Sequence, residues 1–336
     1  MKGKILIIML LFLNMTARVT LGNVQLNNIS SFEVQESILD MSNTAKITIP
    51  RNYAALDGKF ILEQFKVGDP MAIYAGYDGE LALEFKGYIR EIESDYPLVI
   101  HCDDETYPLR QNDLVKSYPA ATLRQVLTDI IPDGLSFNCP DVSLGRFQID
   151  HESSFQVLQR IKEDYGLYSR LQNGVLSVNL RDLTNSSGLT VHSYVLNPGD
   201  KIMNLVKKNE LKYKRKEDYK LHVKVTALKP DGKKQTVEVG SKTKDASLIQ
   251  VTYPGTYSEA ELLAYATSIY NKRCYDGYNG TITGFGTPRT HAGDALEISD
   301  KDEEQRSGRY LIEKVVISYD EGSGFSRENS LSYKLE

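Results

Sequence analysis

The sequence predicts a mainly β fold with an α+β insert: two similar small antiparallel β-barrels, with a helical α/β module set between them. Three observations carry this expectation. Short alternating apolar and polar segments, punctuated by Gly, Asp and Asn, fill both ends of the 336-residue chain. Helix-period segments are confined to the middle and to one late stretch. One Gly-Asp device occurs twice, once early and once late. A chain of this length also exceeds what a single core usually accommodates.

The first barrel is expected over 16–116. "RVTLGNVQL" and "SFEVQESI" lead to "TAKITIP", where Ala45, Ile47 and Ile49 alternate with polar partners in the period of a half-buried strand. "PMAIYAG", a Tyr-Asp-Gly turn, "LALEFKGYIREIESDY" and "LVIHCDD" continue the series at the close spacing of a small barrel or sandwich.

The α/β module is expected over 117–181. In "ATLRQVLTDIIPDGL", Leu123, Val126, Leu127, Ile130 and Ile131 form one helix face, stopped by Pro132. In "SSFQVLQRIKEDYGL", Ser153 and Gln156 make a capping box, Phe155, Leu158, Ile161 and Tyr165 point inward, and Gly166 ends the helix. "YSRLQNGVLSVNL" reads as two strands around an Asn-Gly hairpin turn.

The second barrel is expected over 182–336. "DYKLHVKVTALKPDGKKQTVEVG" alternates and turns at Pro230-Asp231-Gly232. A helix over 258–273 follows, capped by Ser258 and Glu261, and is assigned to this same unit. The chain finishes in strands: "GTITGFG", "ALEISD", "YLIEKVVISYD" and "ENSLSYKL".

Residues 1–15 support two readings. Two lysines and the nine-residue apolar run "ILIIMLLFL" have the anatomy of a signal peptide, too short for a transmembrane helix. The following "NMTARVTLG" offers no clean small-x-small cleavage pair, and Met15 starts a natural first strand, as an over-called start or unprocessed extension would.

Composition narrows the function classes. A net charge of −5 argues against coating nucleic acid, because that affinity comes from neutralising phosphates. Cys102, Cys139 and Cys274 are odd in number and widely spaced, which fits free thiols in a reducing compartment rather than a disulfide framework or a zinc site. Twenty-one tyrosines and no tryptophan fit strand-rich structure and broad protein contacts.

The stretch "GTPRTHAGDALEISD" sets Thr290, His291 and Asp294 within five positions, as a catalytic loop would. A repeat argues otherwise. Residues 67–92, "VGDPMAIYAGYDGELALEFKGYIREI", and 292–315, "AGDALEISDKDEEQRSGRYLIEKV", both begin Gly-Asp, run into an apolar strand, cross a polar turn and reach a glycine leading a second strand. The paired positions are Gly68 and Asp69 with Gly293 and Asp294, and Gly87 with Gly308. Glycine supplies backbone freedom there, and aspartate bonds nearby amides in the turn. His291 has no counterpart in the first copy and reads as a solvated loop residue.

His101, Cys102 and Asp103 in "HCDDE" resemble a metal cluster, but adjacent strand residues face opposite ways. The basic run 207–220 is interleaved with Glu210, Glu217 and Asp218, which reads as a solvated strand pair. Asn279-Gly-Thr is a glycosylation triplet that matters only in a secreted chain. Phosphate loops and nucleophile elbows are missing from the sequence. No catalytic residue, metal ligand or cofactor site is expected.

The order of barrel, α/β insert and second barrel resembles the hub proteins of contractile tails: the late control protein D family of phage baseplates, and the hub part of type VI secretion spike proteins. The resemblance runs from about Val19 to the end. It rests on "FKVGDPMAIYAG…FKGYIREIE", "SSFQVLQRIKEDYGLYSRLQNGVLSV" and "TPRTHAGDALEISD…SGRYLIEKVVISYD". It implies a non-catalytic homotrimer whose six tail-tube-like barrels match a sixfold tube while seating a threefold spike. The implied partners are other copies of the chain, a spike protein, the tail tube and other baseplate proteins, with no small-molecule substrate and no sequence-specific nucleic acid. The implied place is a virion tail baseplate assembled in host cytoplasm. The sequence departs from the type VI pattern in having no spike repeat after "SLSYKLE", and it lacks a lysozyme-like insertion. The competing class is a secreted or envelope-associated β-rich binding protein, which the leader-like segment favours.

Overall fold

The computed structural model describes residues 14–27, 29–50, 55–56, 59–60, 63–93, 97–180, 188–196, 206–229, 233–255 and 257–335. Residues 1–13 of the leader-like segment and the Pro230-Asp231-Gly232 turn lie outside the described residues. The described fold is mainly antiparallel β with three α-helices.

Alternation produces the first strands. They are β1 (Met15–Leu21), β2 (Val24–Leu26), β3 (Ser31–Ser37), β4 (Thr44–Ile49), the short pair β5 (Ala55–Leu56) and β6 (Lys59–Phe60), β7 (Pro70–Tyr77), β8 (Glu80–Glu93) and β9 (Leu98–Asp103). Ala17, Val19 and Leu21 on β1, like Ala45, Ile47 and Ile49 on β4, turn to the core at every second position. Asp78 and Gly79, both at positive φ, close the β7–β8 hairpin in two residues.

The middle contains β10 (Leu114–Thr122), α1 (Leu123–Ile130), β11 (Ser136–Asn138), β12 (Ser143–Glu152), α2 (Ser154–Tyr165), β13 (Leu167–Gln172) and β14 (Val175–Leu180). α2 starts on the Ser153–Gln156 capping box and stops at Gly166 in the left-handed region. α1 has a capping box of its own, Thr122 with Gln125. Asn173 and Gly174 at positive φ turn β13 into β14.

The last part comprises β15 (Val191–Leu196), β16 (Val206–Asn209), β17 (Lys212–Lys214), β18 (Leu221–Leu228), β19 (Lys234–Gly240), β20 (Ser247–Pro254), α3 (Glu259–Arg273), β21 (Gly277–Asn279), β22 (Thr281–Phe285), β23 (Ala295–Asp300), β24 (Gly308–Asp320) and β25 (Gly324–Leu335). Ser258 and Glu261 cap α3.

Two cores result. The first gathers strands from both ends of the chain, because β24 pairs with β3 and joins the early and late strands into one 13-stranded sheet. The second contains the middle module together with β18–β20 and α3. This corrects the assignment of helix 258–273 to the second barrel. Its buried Leu262, Ala266 and Ile269 form one stripe, which packs with Val223, Val225 and Ala227 of β18 in the module's core. The 182–336 segment is thereby shared between the two cores.

Candidate functional site: a junction between two matched strand runs

The two Gly-Asp turns have the same hydrogen bonds. Lys66 N donates to Asp69 Oδ2 at 2.9 Å and Asp69 N to Lys66 O at 3.1 Å; His291 N donates to Asp294 Oδ2 at 2.9 Å and Asp294 N to His291 O at 3.1 Å. Gly68 and Gly293 sit at φ 91° and 97°, where a side chain would be strained. Each glycine then opens a ladder onto the second strand. Gly68 N donates to Ile89 O and Ile89 N to Asp69 O, while Gly293 N donates to Ile312 O and Ile312 N to Asp294 O.

These bonds fix the correspondence and correct one sequence pairing. Ile89 matches Ile312, so Gly87 matches Tyr310, and Gly308 falls two positions earlier. A Cβ on Gly87 would lie 2.1 Å from the Asp103 carbonyl oxygen, whereas one on Gly308 meets chiefly the flexible end of Lys334. The two glycines serve different neighbours; a shift of two keeps strand parity, which hid the mismatch in the sequence.

The match extends to six strands. The first run is ordered β3-β4-β9-β8-β7-β1 and the second β16-β22-β25-β24-β23-β15. Both central pairs have a bulge one step beyond the matched isoleucine: Ile89 faces Cys102 and Glu91 faces His101, as Ile312 faces Leu331 and Lys314 faces Ser330. β17 and β21 lengthen β16 and β22 in register, so Lys212 faces Asn279 as Gln35 faces Thr44. The outermost pair differs: β1 runs antiparallel to β7, and β15 parallel to β23.

The runs meet where Lys314–Asp320 of β24 pair with Ser37–Ser31 of β3. Charged side chains lock this contact. Arg327, fully buried, donates Nε to Gly286 O at 2.9 Å and Nη1 to Thr290 O at 3.2 Å, and its Nη2 pairs with Glu84 of the first run. Arg289 Nε reaches the other Glu84 oxygen at 3.2 Å. Tyr77 Oη donates to Phe325 O and accepts from Gly286 N. Removing one partner of such a buried pair would leave the other uncompensated.

His291 belongs to this junction, which corrects its reading as a solvated loop residue. Its Nδ1 lies 3.1 Å from both Glu36 oxygens, and Ala292 N donates to Glu36. The Glu36 hydrogen bond raises the His291 pKa against the opposing effect of burial. Asp294 accepts from the His291 backbone and meets His192 Nε2 at 3.0 Å. Thr290 through its carbonyl, His291 through its ring and Asp294 through its carboxylate therefore engage three different partners, Arg327, Glu36 and His192.

The other candidates are also engaged in structure. His101 pairs with Glu93 at 2.7 Å, Cys102 lies in the first core, and buried Asp103 contacts Arg90 and Arg110. Burial pushes the Cys102 thiol up to about 12. All three cysteines are free and buried. Asn279 is exposed on β21.

Sequence reading missed Arg327, Glu84, Glu36 and Arg289. One signal was present: Phe325, Arg327, Asn329 and Leu331 share the inward parity of β25, so a charged residue stands in a core row. Glu84 had none, because it turns inward only through the bulge between the Ile73–Phe85 and Tyr74–Leu83 pairs.

No protein-family model and no curated protein matches the chain. Solved structures do. A tail protein from Neisseria meningitidis MC58 superposes with a TM-score of 0.62 at 14% identity, over 96% of this chain and 97% of that one. The 43 kDa tail protein of prophage MuSo2 from Shewanella oneidensis gives 0.58 at 16% identity, over 94% and 97%. An E. coli component of the type VI secretion system gives 0.54 at 11%, over 92% and 74%. The chain shares the fold of these proteins.

Proposed function

We propose that the chain is a structural protein of a phage tail or related contractile injection machine, positioned at the baseplate as its hub. The observation that carries this reading is the internal match of six strands, with their turns and bulge, inside a fold shared with tail proteins along nearly the whole chain. Two matched barrels per chain let three chains present six similar units, so a homotrimer adapts a sixfold tube to a threefold spike. In this reading the first run and the second run are the barrels, and the 117–181 module with β18–β20 and α3 faces other baseplate proteins. The partners are the tube, the spike and further copies of the chain; the role is non-enzymatic and its place is the virion tail. The repeated turns at Gly68, Asp69, Gly293 and Asp294 are structural.

Mixing purified chain with tube and spike proteins from the same source, followed by co-sedimentation, tests the reading. A stable complex at three copies per spike is the expected result. A chain that binds neither protein overturns it. The secreted binding-protein reading is favoured by "MKGKILIIMLLFL" and by the 21 tyrosines, and a mature amino terminus beginning beyond that segment would support it.

A further inference from the structure

The matched runs differ in one edge. In β24, β23 covers one edge as far as Ile312, and β3 takes over that edge from Lys314 onward. In β8, β7 covers the corresponding edge as far as Ile89, and among the described residues nothing pairs with it at Glu91–Glu93. The counterpart of β3 is β16 with β17, and its outer edge is likewise bare among the described residues. Each chain thus has one completed junction and two unmatched halves of a second.

Transferring the internal register onto those halves makes a specific set of pairs. Lys314 opposite Ser37 becomes Glu91 opposite Lys214, Val315 opposite Glu36 becomes Ile92 opposite Tyr213, and Val316 opposite Gln35 becomes Glu93 opposite Lys212. Two acid–base pairs flank one apolar pair. Val315 is fully buried under β3, while its match Ile92 is only half-buried, as is Tyr213. Glu91, Glu93 and Lys212 are exposed, and Lys207 and Lys208 extend the basic side. Lys314 Nζ already reaches Gln35 Oε1 at 3.2 Å, and the matched diagonal brings Glu91 toward Lys212. Opposite charges and apolar pairs across strands stabilise an added strand, and bare edges invite one.

We propose that the Glu91–Glu93 edge of β8 in one chain pairs antiparallel with the Lys212–Lys214 edge of β17 in a second copy, repeating the β24–β3 junction between chains. The contact is head-to-tail, so it propagates until a ring closes. It rests on the hub reading for its biological setting and deepens it by naming the surface that joins the copies.

Sedimentation velocity of the full chain, with a folding check by circular dichroism, tests it. Glu93→Lys or Lys212→Glu alone places like charges opposite each other and is expected to weaken self-association about tenfold; the double variant, which swaps the charges, restores it. A chain with Glu93→Cys and Lys212→Cys is expected to form interchain disulfides on oxidation, distinguishable because the native cysteines are buried. Self-association unchanged by both single reversals, or a chain that stays monomeric without interchain disulfides, overturns the proposal. Either result leaves the co-sedimentation test standing; conversely, failure to bind tube or spike by a chain that does cross-link here sinks the hub reading alone.

Discussion

The two six-strand runs share order, turn and bulge, yet their interiors are built from different chemistry. Leu98 and Ile100 of β9, both fully buried, occupy the positions that Arg327 and Asn329 occupy on β25. The first run is held by apolar burial alone at this level. The second spends the same two positions on polar groups, and Arg327 reaches Glu84 of the first run. The difference teaches that backbone pattern and interior polarity are separable. Turns and bulges fix how strands follow one another, whereas the inward row decides what a run can be tied to.

The largest test of that contrast is Arg327→Ala. It leaves Glu84 buried with only the partly exposed Arg289 as partner, and is expected to cost about 3–5 kcal/mol in urea unfolding. Leu98→Ala, at the matched position, is expected to cost about 2–5 kcal/mol through a cavity. A distinguishing readout is a Glu84→Gln background, which should recover part of the Arg327→Ala loss and none of the Leu98→Ala loss. A harmless Arg327→Ala would break the view that this network ties the runs together.

Next comes the glycine pair that strand parity made look alike. Gly87→Ala drives a methyl into the Asp103 carbonyl and is expected to destabilise by about 1–3 kcal/mol. Gly308→Ala only displaces the Lys334 end, and should stay within about 0.5 kcal/mol. Thermal unfolding of the two variants separates them, and equal losses would restore the pairing the sequence suggested.

The turn aspartates should differ less. Asp69→Ala removes a turn hydrogen bond, for about 1 kcal/mol. Asp294→Ala removes the same bond and also strands His192, so its loss in chemical denaturation is expected to be the larger of the two.

The smallest effect is the pH dependence at His291. Its folded pKa is raised from the ordinary 6.5 by Glu36, so its contribution is whole below that value and is lost as pH rises through the raised one. The unfolding midpoint of the parent should therefore fall modestly relative to His291→Lys, which installs the residue of the matched turn, between pH 6 and 8. Parallel pH profiles would remove His291 from the junction's energetics.

Much of the fold was legible because its signals are local. Capping boxes at Ser153 and Ser258, the αL glycine at 166, the Asn173-Gly174 turn and the alternation of β1 and β4 each need only a few neighbouring residues to act. The Gly-Asp repeat was legible for the same reason, since an aspartate bonding back three residues is a local event. The packing of α3 was not: its stripe says that it covers an apolar face but not which one.

The sequence by itself determined the strands of the first run, β22 to β25 of the second, the three helices and the pairing of Gly68-Asp69 with Gly293-Asp294, but not β10, β12, β15 or β20. Only the tertiary structure decided that β24 meets β3, that α3 joins the module's core, and that Arg327, Glu84, Glu36 and His291 converge. Local conformation follows from backbone sterics and short-range hydrogen bonds, which are written in consecutive residues. Contacts between residues more than two hundred positions apart depend on which faces and edges remain uncovered once the strands have formed, and the third dimension alone brings those together.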